Sequence, residues 1–197
     1  MQNLIIEHRL GLIQESIEKI HARSSIRDYD DEILVADTLF SDPVFKESIS
    51  EVESRLGITL PCYKEFLALS NGWILMDEYL LPVNKIDWHR DSPWPEHFID
   101  HDKFFPESVS DDDYFVYDRR QHAVNHLRKE YIDSTIIISD AISDVRTLSF
   151  LNPNVQFDDG ECEAWVREAG GYIRFKSFKS MMEQFYIRDI AYLRYRA

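Results

Sequence analysis

Cysteine and long apolar runs are both scarce in this sequence. Its two cysteines, Cys62 and Cys162, are too few for the disulfide framework of a small secreted domain. No apolar run approaches the roughly 18 residues that a membrane-spanning helix needs. The first residues also lack the basic region and the continuous apolar core of a signal peptide. These absences predict a soluble protein in a reducing, cytoplasmic compartment.

Basic residues are outnumbered by acidic ones, with 22 lysines and arginines against 36 aspartates and glutamates and a formal net charge of -14. A molecule with this charge repels phosphate backbones and anionic lipid surfaces, so neither a nucleic acid nor a membrane is an expected partner. The same field would attract a basic protein and speed its association. A merely solvated acidic surface is the simpler explanation, and both interpretations stay open.

Glycine is infrequent, with six residues in 197, and no repeat or low-complexity tract is present. With 44% hydrophobic and 13% aromatic residues, the chain can bury one sizeable core. Residues 1–40 are interpreted as an amphipathic helix and a linker, because apolar residues recur there at spacings of three and four. That helix either docks on the rest of this chain or pairs with another chain. Residues 41–197 are predicted to form one α+β domain.

Two consecutive helices are predicted between residues 41 and 73. The first has its start signal at Ser41-Asp42-Pro43 and ends at Gly57. Leu60-Pro61 starts the second helix, which runs to a stop at Asn71-Gly72. The apolar positions of the pair are Ile49, Val52, Leu56, Tyr63, Phe66 and Leu67.

The pattern then changes to short segments rich in β-branched and aromatic residues, which predicts a central, largely antiparallel sheet. Asn152-Pro153 and Asp158-Asp159-Gly160 are predicted turns. One helix is predicted within Gln121 to Glu130, and another begins with Ser177 as its N-cap. The predicted strands are Tyr79–Val83, Tyr114–Tyr117, Thr135–Ser139, Arg146–Leu151, Glu161–Arg167 and Tyr172–Phe175.

Two blocks of residues carry a resemblance to a known family. The first block holds Glu53, Leu56-Gly57, Leu60-Pro61, Tyr63, Phe66-Leu67 and Ser70-Asn71-Gly72-Trp73. The second holds Ile138-Ser139-Asp140, Leu151-Asn152-Pro153, Asp159-Gly160-Glu161, Glu163-Ala164-Trp165, Arg174 and Ser177-Phe178. Spanning about Asp42 to Tyr186, the two blocks together resemble the SUKH superfamily, the Smi/Knr group.

The resemblance implies an α+β fold with a central, largely antiparallel sheet and helices packed against it. It also implies a non-enzymatic role, because bacterial members commonly act as immunity proteins that bind and neutralise toxins of contact-dependent or polymorphic systems. Fungal members regulate cell-wall assembly, which implies a regulatory or scaffold module as the alternative. One departure is the stretch Glu168-Ala169-Gly170-Gly171, where members often have a second aromatic residue and a Pro-Gly turn.

Few residue patterns indicate catalysis. His97 and His101, and again His122 and His126, have the spacing of neighbours on a helix face and could bind zinc. Neither pair has the glutamate of a zinc-protease motif, so surface or packing histidines are favoured over a metal-dependent hydrolase. Cys62 lies near a helix start, where the pKa of its thiol could be lowered, but a structural thiol is favoured.

Several carboxylates of this chain lie close together in the sequence, and such pairs can act as acid and base in catalysis. Contiguous aspartates usually stay solvated in turns, so these carboxylates are not interpreted as catalytic, and no cofactor or metal is expected. Trp165 is predicted to pack in the core. The leading hypothesis is an immunity protein that presents an acidic surface, with aromatic contacts, to a basic toxin. The candidate partner-binding residues are Asp87, Trp88, Trp94, Asp111, Asp112, Asp113, Asp158, Asp159 and Glu161.

Overall fold

The computed structural model describes six stretches of the chain, residues 41–75, 78–92, 109–117, 127–141, 147–168 and 171–185. Several sequence predictions lie outside these described residues. They are the amphipathic helix and linker of residues 1–40, Trp94, the histidines His97, His101, His122 and His126, and residues 121–126 of the helix predicted between strands.

Helix α1 (Lys46–Leu56) begins later than the sequence predicted. Its N-cap residue is Phe45, which provides no side-chain cap, so the predicted start at Ser41-Asp42-Pro43 is wrong. The backbone there bonds to the end of the next helix instead, since Ser41 N–H donates to Ser70 Oγ at 3.1 Å. The predicted end of the helix is confirmed, because Gly57 has the left-handed φ of 69° that stops it.

Helix α2 (Pro61–Leu67) follows, with proline at its first position as predicted. Gly72 then turns the chain into strand β1 (Trp73–Leu75). The φ of Gly72 is 91°, and a Cβ atom there would lie 2.5 Å from Leu80 O. Only glycine fits this turn without displacing the backbone.

Three short strands form the smaller sheet: β1, β2 (Glu78–Leu80) and β5 (Ser139–Ala141). Strand β2 lies in the middle and is antiparallel to both neighbours. After β2 the chain makes a 3-10 turn, Val83–Lys85, and reaches strand β3 (Asp87–Trp88), which belongs to the larger sheet.

The larger sheet has five strands in the order β3-β4-β6-β7-β8, and each is antiparallel to its neighbours. Its other members are β4 (Ile136–Ile137), β6 (Leu148–Gln156), β7 (Cys162–Glu168) and β8 (Gly171–Phe175). Together with the helices, these antiparallel strands confirm the predicted α+β fold with a largely antiparallel sheet.

Two short helices pack on one face of this sheet. Helix α3 (Asp111–Tyr114) occupies part of the predicted strand Tyr114–Tyr117, so that strand prediction is wrong. The physical reason is a local N-cap, because Ser110 Oγ accepts a hydrogen bond from Asp113 N–H at 3.2 Å. Helix α4 (Lys129–Ile132) lies just before β4.

The turn predicted at Asn152-Pro153 is also wrong, because both residues lie inside β6. A register shift between Asn152 and Gln156 gives the strand an irregularity in which a proline is tolerated. The turn predicted at Asp158-Asp159-Gly160 is confirmed. Helix α5 covers residues 178–185, and its predicted N-cap is confirmed by the hydrogen bond that Ser177 Oγ accepts from the helix backbone.

The larger sheet has an apolar core on each face, because side chains alternate along its strands. Helices α1, α2 and α5 pack on one face, over Leu151 and Val166. On the other face Phe150 and Trp165 pack with Ile132 of α4. Trp165 is fully buried, which confirms its predicted core role.

Candidate functional site

The sheet face that packs against α4 becomes polar at one end. Strand register places Asn152 of β6 opposite Glu163 of β7, and both side chains are fully buried. The segment of residues 109–117, which contains α3, covers this end of the sheet. It reaches the strands through the hydroxyl groups of Tyr114 and Tyr117.

The Glu163 carboxylate accepts five hydrogen bonds, which come from three strands and from segment 109–117. Its ion pair with Arg174 is closed to water, since the two side chains are 0% and 2% exposed. Such a pair is costly to break, because the remaining charge is left buried without a partner. The Oε1 atom accepts from Tyr117 Oη (2.8 Å) and Arg174 Nη1 (2.9 Å), and the Oε2 atom from Tyr114 Oη (2.7 Å), Asn152 Nδ2 (2.8 Å) and Trp165 Nε1 (2.7 Å).

The ring of Tyr114 lies under two guanidinium groups, at 4.0 Å from that of Arg174 and 4.5 Å from that of Arg128. Each arginine also donates to a backbone carbonyl of the segment: Arg174 to Tyr114 O, and Arg128 to Val109 O at 3.0 Å. Each has its own carboxylate, since Arg128 pairs with Asp111 while Arg174 pairs with Glu163. The charge of each arginine on the Tyr114 ring is therefore balanced by a carboxylate.

Tyr114, Tyr117 and Arg128 all keep their protons at neutral pH. Burial raises the pKa of Tyr114 and of Tyr117, and the charge of Glu163 raises both further. Both phenols therefore remain hydrogen-bond donors. The hydrogen bond to Asp111 raises the pKa of Arg128, which stays charged.

The three aspartates at the start of α3 are all exposed but have different contacts. Asp111 pairs with Arg128. Asp113 takes part in the helix cap, because its Oδ2 accepts from Ser110 Oγ at 2.8 Å. Asp112 has no hydrogen bond or ion pair with any residue that the structure describes. It is therefore the member of the three that a partner can bind without breaking an existing contact.

The turn between β6 and β7 adjoins the same segment. Tyr117 packs edge-on against Phe157, with ring centroids 5.8 Å apart, and Phe157 directly precedes Asp158. Phe115 is 48% exposed on the same segment. We call this region the acidic surface and define it by six exposed residues, Asp111, Asp112, Asp113, Phe115, Asp158 and Asp159.

The model of the SMI1 / KNR4 family (SUKH-1) matches residues 43–184 of the chain. The chain belongs to the SMI1 / KNR4 family (SUKH-1). This membership confirms the resemblance seen in the sequence. A curated relative, the "Uncharacterized protein YnaB" of Bacillus subtilis (strain 168), is 36% identical over 63 residues. The match covers 30% of this chain and 44% of the relative, so the chain spans less than half of that protein.

Glu161 does not lie on the surface of this SMI1 / KNR4 family member, contrary to the prediction. Its side chain is buried, at 7% exposed, and its Oε1 accepts the N–H of Cys62 at the start of α2 at 2.8 Å. Burial and the neighbouring Glu161 raise the pKa of the Cys62 thiol to about 12. The raised pKa is opposite in direction to the lowering that a nucleophilic Cys62 would need, and it favours the structural thiol. Cys162 is also buried, as expected of a packing residue.

Asp87 and Trp88 lie in β3, which β4 separates from β6, and so occupy a different part of the sheet from the acidic surface. Asp87 pairs with Arg55 of α1 at 2.8 Å. The ring of Trp88 lies 4.9 Å from the guanidinium of Arg90. Both predicted residues are half-buried and engaged within the fold, and their partner-binding role stays a prediction.

The buried polar cluster of Glu163 and its hydrogen-bond donors was not predicted from the sequence. There, Glu163 is one of many carboxylates near a predicted turn. A usable signal was present in the strand pattern. Glu163 and Trp165 are two residues apart and must share one face of the strand. A glutamate beside a buried tryptophan requires buried hydrogen-bond donors.

The described stretches contain no group of three or more His, Cys, Asp or Glu side chains arranged to hold a metal ion. Within the same stretches, no helix is both long and apolar enough to cross a membrane.

Proposed function

We propose that this chain is an immunity protein, which binds and neutralises a cognate toxin of a polymorphic or contact-dependent system in the cytoplasm. Family membership supports a non-enzymatic binding role, since SUKH domains generally serve immunity or regulation. That the partner of this chain is a toxin is our proposal.

The observation that carries the proposal is the acidic surface. Segment 109–117 and the turn between β6 and β7 together present five exposed carboxylates and one exposed aromatic side chain, on a molecule of net charge -14. Loops held on a rigid sheet suit recognition, because their sequence can vary while the scaffold stays unchanged. Opposite charge would accelerate capture of a basic toxin domain.

Phe115 supplies the apolar part of the proposed contact. Its ring packs edge-on against buried Tyr114, with centroids 5.3 Å apart, and stays 48% exposed. An ordered, exposed aromatic ring gives large contact area at a small cost in conformational entropy. Asp112, three positions before it, offers a carboxylate to a lysine or arginine of the toxin.

The proposed mode of action is occlusion. A toxin domain bound to the acidic surface would be shielded from its target, and no reaction by this chain is required. Tight binding would come from a few central contacts, with the peripheral carboxylates acting mainly on the rate of association.

The direct test is co-expression of the full chain with a secreted-type toxin domain encoded beside its gene. Restored growth and a stable complex on size-exclusion chromatography are expected. No complex with such a product, even at low salt, would overturn the proposal. A gene without a toxin neighbour would favour the regulatory or scaffold alternative.

A further inference from the structure

Within the described residues, the backbone-to-backbone hydrogen bonds of segment 109–117 all lie inside the segment. Asp113 and Tyr114 N–H donate to Ser110 O, and Phe115 N–H donates to Asp111 O. It pairs with no strand in the part of the chain that the structure describes. Among the described residues, the contacts that hold it on the sheet are made by its side chains and by the arginines that bind its carbonyls.

The contacts on the inner side of the segment converge on Glu163. Tyr114 and Tyr117 donate to different oxygens of this carboxylate. Arg174 also donates to it, and with its other nitrogen to Tyr114 O. Glu163 thus binds the segment directly and also orients the arginine that binds it.

We propose that Glu163 is a positioning residue that holds segment 109–117 on the sheet and thereby presents Asp112 and Phe115 to a protein partner. The presentation to a partner rests on the proposed function. The attachment of the segment does not, and it is testable in the free protein.

A glutamine at this position cannot substitute for the carboxylate. Its amide would present an NH2 group to the two or three donors of one oxygen, where Glu163 accepts hydrogen bonds. It would also remove the carboxylate that forms a buried ion pair with Arg174.

The test is amide hydrogen exchange of the full chain, comparing wild type with Glu163→Gln. We expect exchange in residues 109–117 to rise at least about tenfold more than exchange in β6 and β7, because losing hydrogen bonds to a charged group favours local opening. The control is Tyr63→Phe, which removes a buried phenol hydroxyl on the opposite face of the sheet. It should leave the segment unchanged.

A second variant covers the case in which Glu163→Gln does not fold. Tyr117→Phe removes one hydrogen bond to Glu163 and keeps the buried ion pair. Exchange should then rise at residues 115–117 while β7 is unchanged. An equal rise across the segment and the strands, or no rise in the segment of either variant, would overturn the proposal.

The effect of Glu163 on partner binding is measured in a separate experiment, the dissociation of the toxin complex. Glu163→Gln leaves every carboxylate of the acidic surface in place. If the toxin complex of this variant dissociates faster, the cause would be the displaced segment 109–117 and not a loss of surface charge. If wild type binds no toxin domain, the proposed function fails, while the exchange result still decides whether Glu163 holds the segment.

Discussion

At the scale of single residues, two glycines with left-handed backbone allow a matched comparison. Gly57 and Gly72 have φ angles of 69° and 91°. A Cβ at Gly57 meets nothing within 4 Å, whereas one at Gly72 would lie 2.5 Å from Leu80 O. A residue with a Cβ atom would therefore be conformationally strained at both positions, but it would clash with neighbouring backbone only at position 72.

Gly57→Ala should lower the free energy of unfolding by about 1 kcal/mol, the cost of left-handed backbone in a non-glycine residue. Gly72→Ala should cost clearly more, on the order of 2–4 kcal/mol, because the backbone of Leu80 must also move. Urea denaturation midpoints measure both values. Equal losses would show that the turn before β1 adapts without strain.

The cysteine thiols yield a second prediction at this scale. Because burial and Glu161 raise the pKa of Cys62 to about 12, only a small fraction is thiolate at pH 8. An aromatic disulfide reagent should therefore react slowly with the native protein and rapidly in urea. Fast native modification at Cys62 would contradict the raised pKa of its thiol.

Local signals in the sequence were sufficient for several of these residues. The stop at Gly57, the proline that starts α2 and the Ser177 cap all depend on neighbours within a few positions, so the pattern alone predicts them. The roles of Glu163 and Glu161 depend on partners from distant strands and helices. Local spacing predicts that Glu163 shares a strand face with Trp165, but no local pattern identifies the distant partners.

At the scale of elements, segment 109–117 shows why composition misled. Tyr114 to Tyr117 is aromatic and β-branched, which is typical of a strand. The Ser110 cap and the contacts of Tyr114 with two arginines favour a helical turn instead. In β6, the proline at position 153 indicated a turn, but the strand irregularity tolerates it.

The different contacts of the three α3 aspartates give a prediction for this element. Asp111→Asn should lower the free energy of unfolding by up to about 1 kcal/mol, because the exposed pair with Arg128 is partly screened by solvent. Asp112→Asn should change it by less than about 0.5 kcal/mol. Urea denaturation of the two variants checks the order. The reverse order would mean that Asp112, not Asp111, holds the segment.

At the scale of the whole molecule, buried acids with raised pKa values set the alkaline limit of stability. The unfolded chain ionises its cysteines near pH 8.5 and its tyrosines near pH 10, whereas the folded chain resists this ionisation. The stability from these groups is therefore complete below about pH 8.5 and is lost as pH rises. The groups are Cys62, Cys162, Tyr63, Tyr114, Tyr117 and Tyr172.

Thermal unfolding midpoints should accordingly be level from pH 7 to about pH 8.5 and fall steadily between about pH 9 and 12. Tyrosinate absorbance should rise together with unfolding, and not before it, for the buried tyrosines. A midpoint that stays constant to pH 11 would show that these groups ionise equally in both states.

The family and the fold followed from sequence blocks that span most of the chain, while the acidic surface required the structure. Its two parts, segment 109–117 and the turn between β6 and β7, are about 40 residues apart in sequence, and the contact between Tyr117 and Phe157 joins them. The sequence could name the aspartates as candidates. It could not separate Asp112 and Asp158 from neighbours that are engaged within the fold, or place Glu161 in the interior.

The most direct test of the central claim is the association rate of the chain with the toxin domain encoded beside it, measured across a range of salt concentrations. Asp112→Asn/Asp158→Asn should slow association by roughly two- to tenfold and flatten its salt dependence. Glu47→Gln/Glu51→Gln on α1, with the same change in net charge, should have a much smaller effect. Equal effects of the two double variants would contradict the assignment of the acidic surface as the binding site.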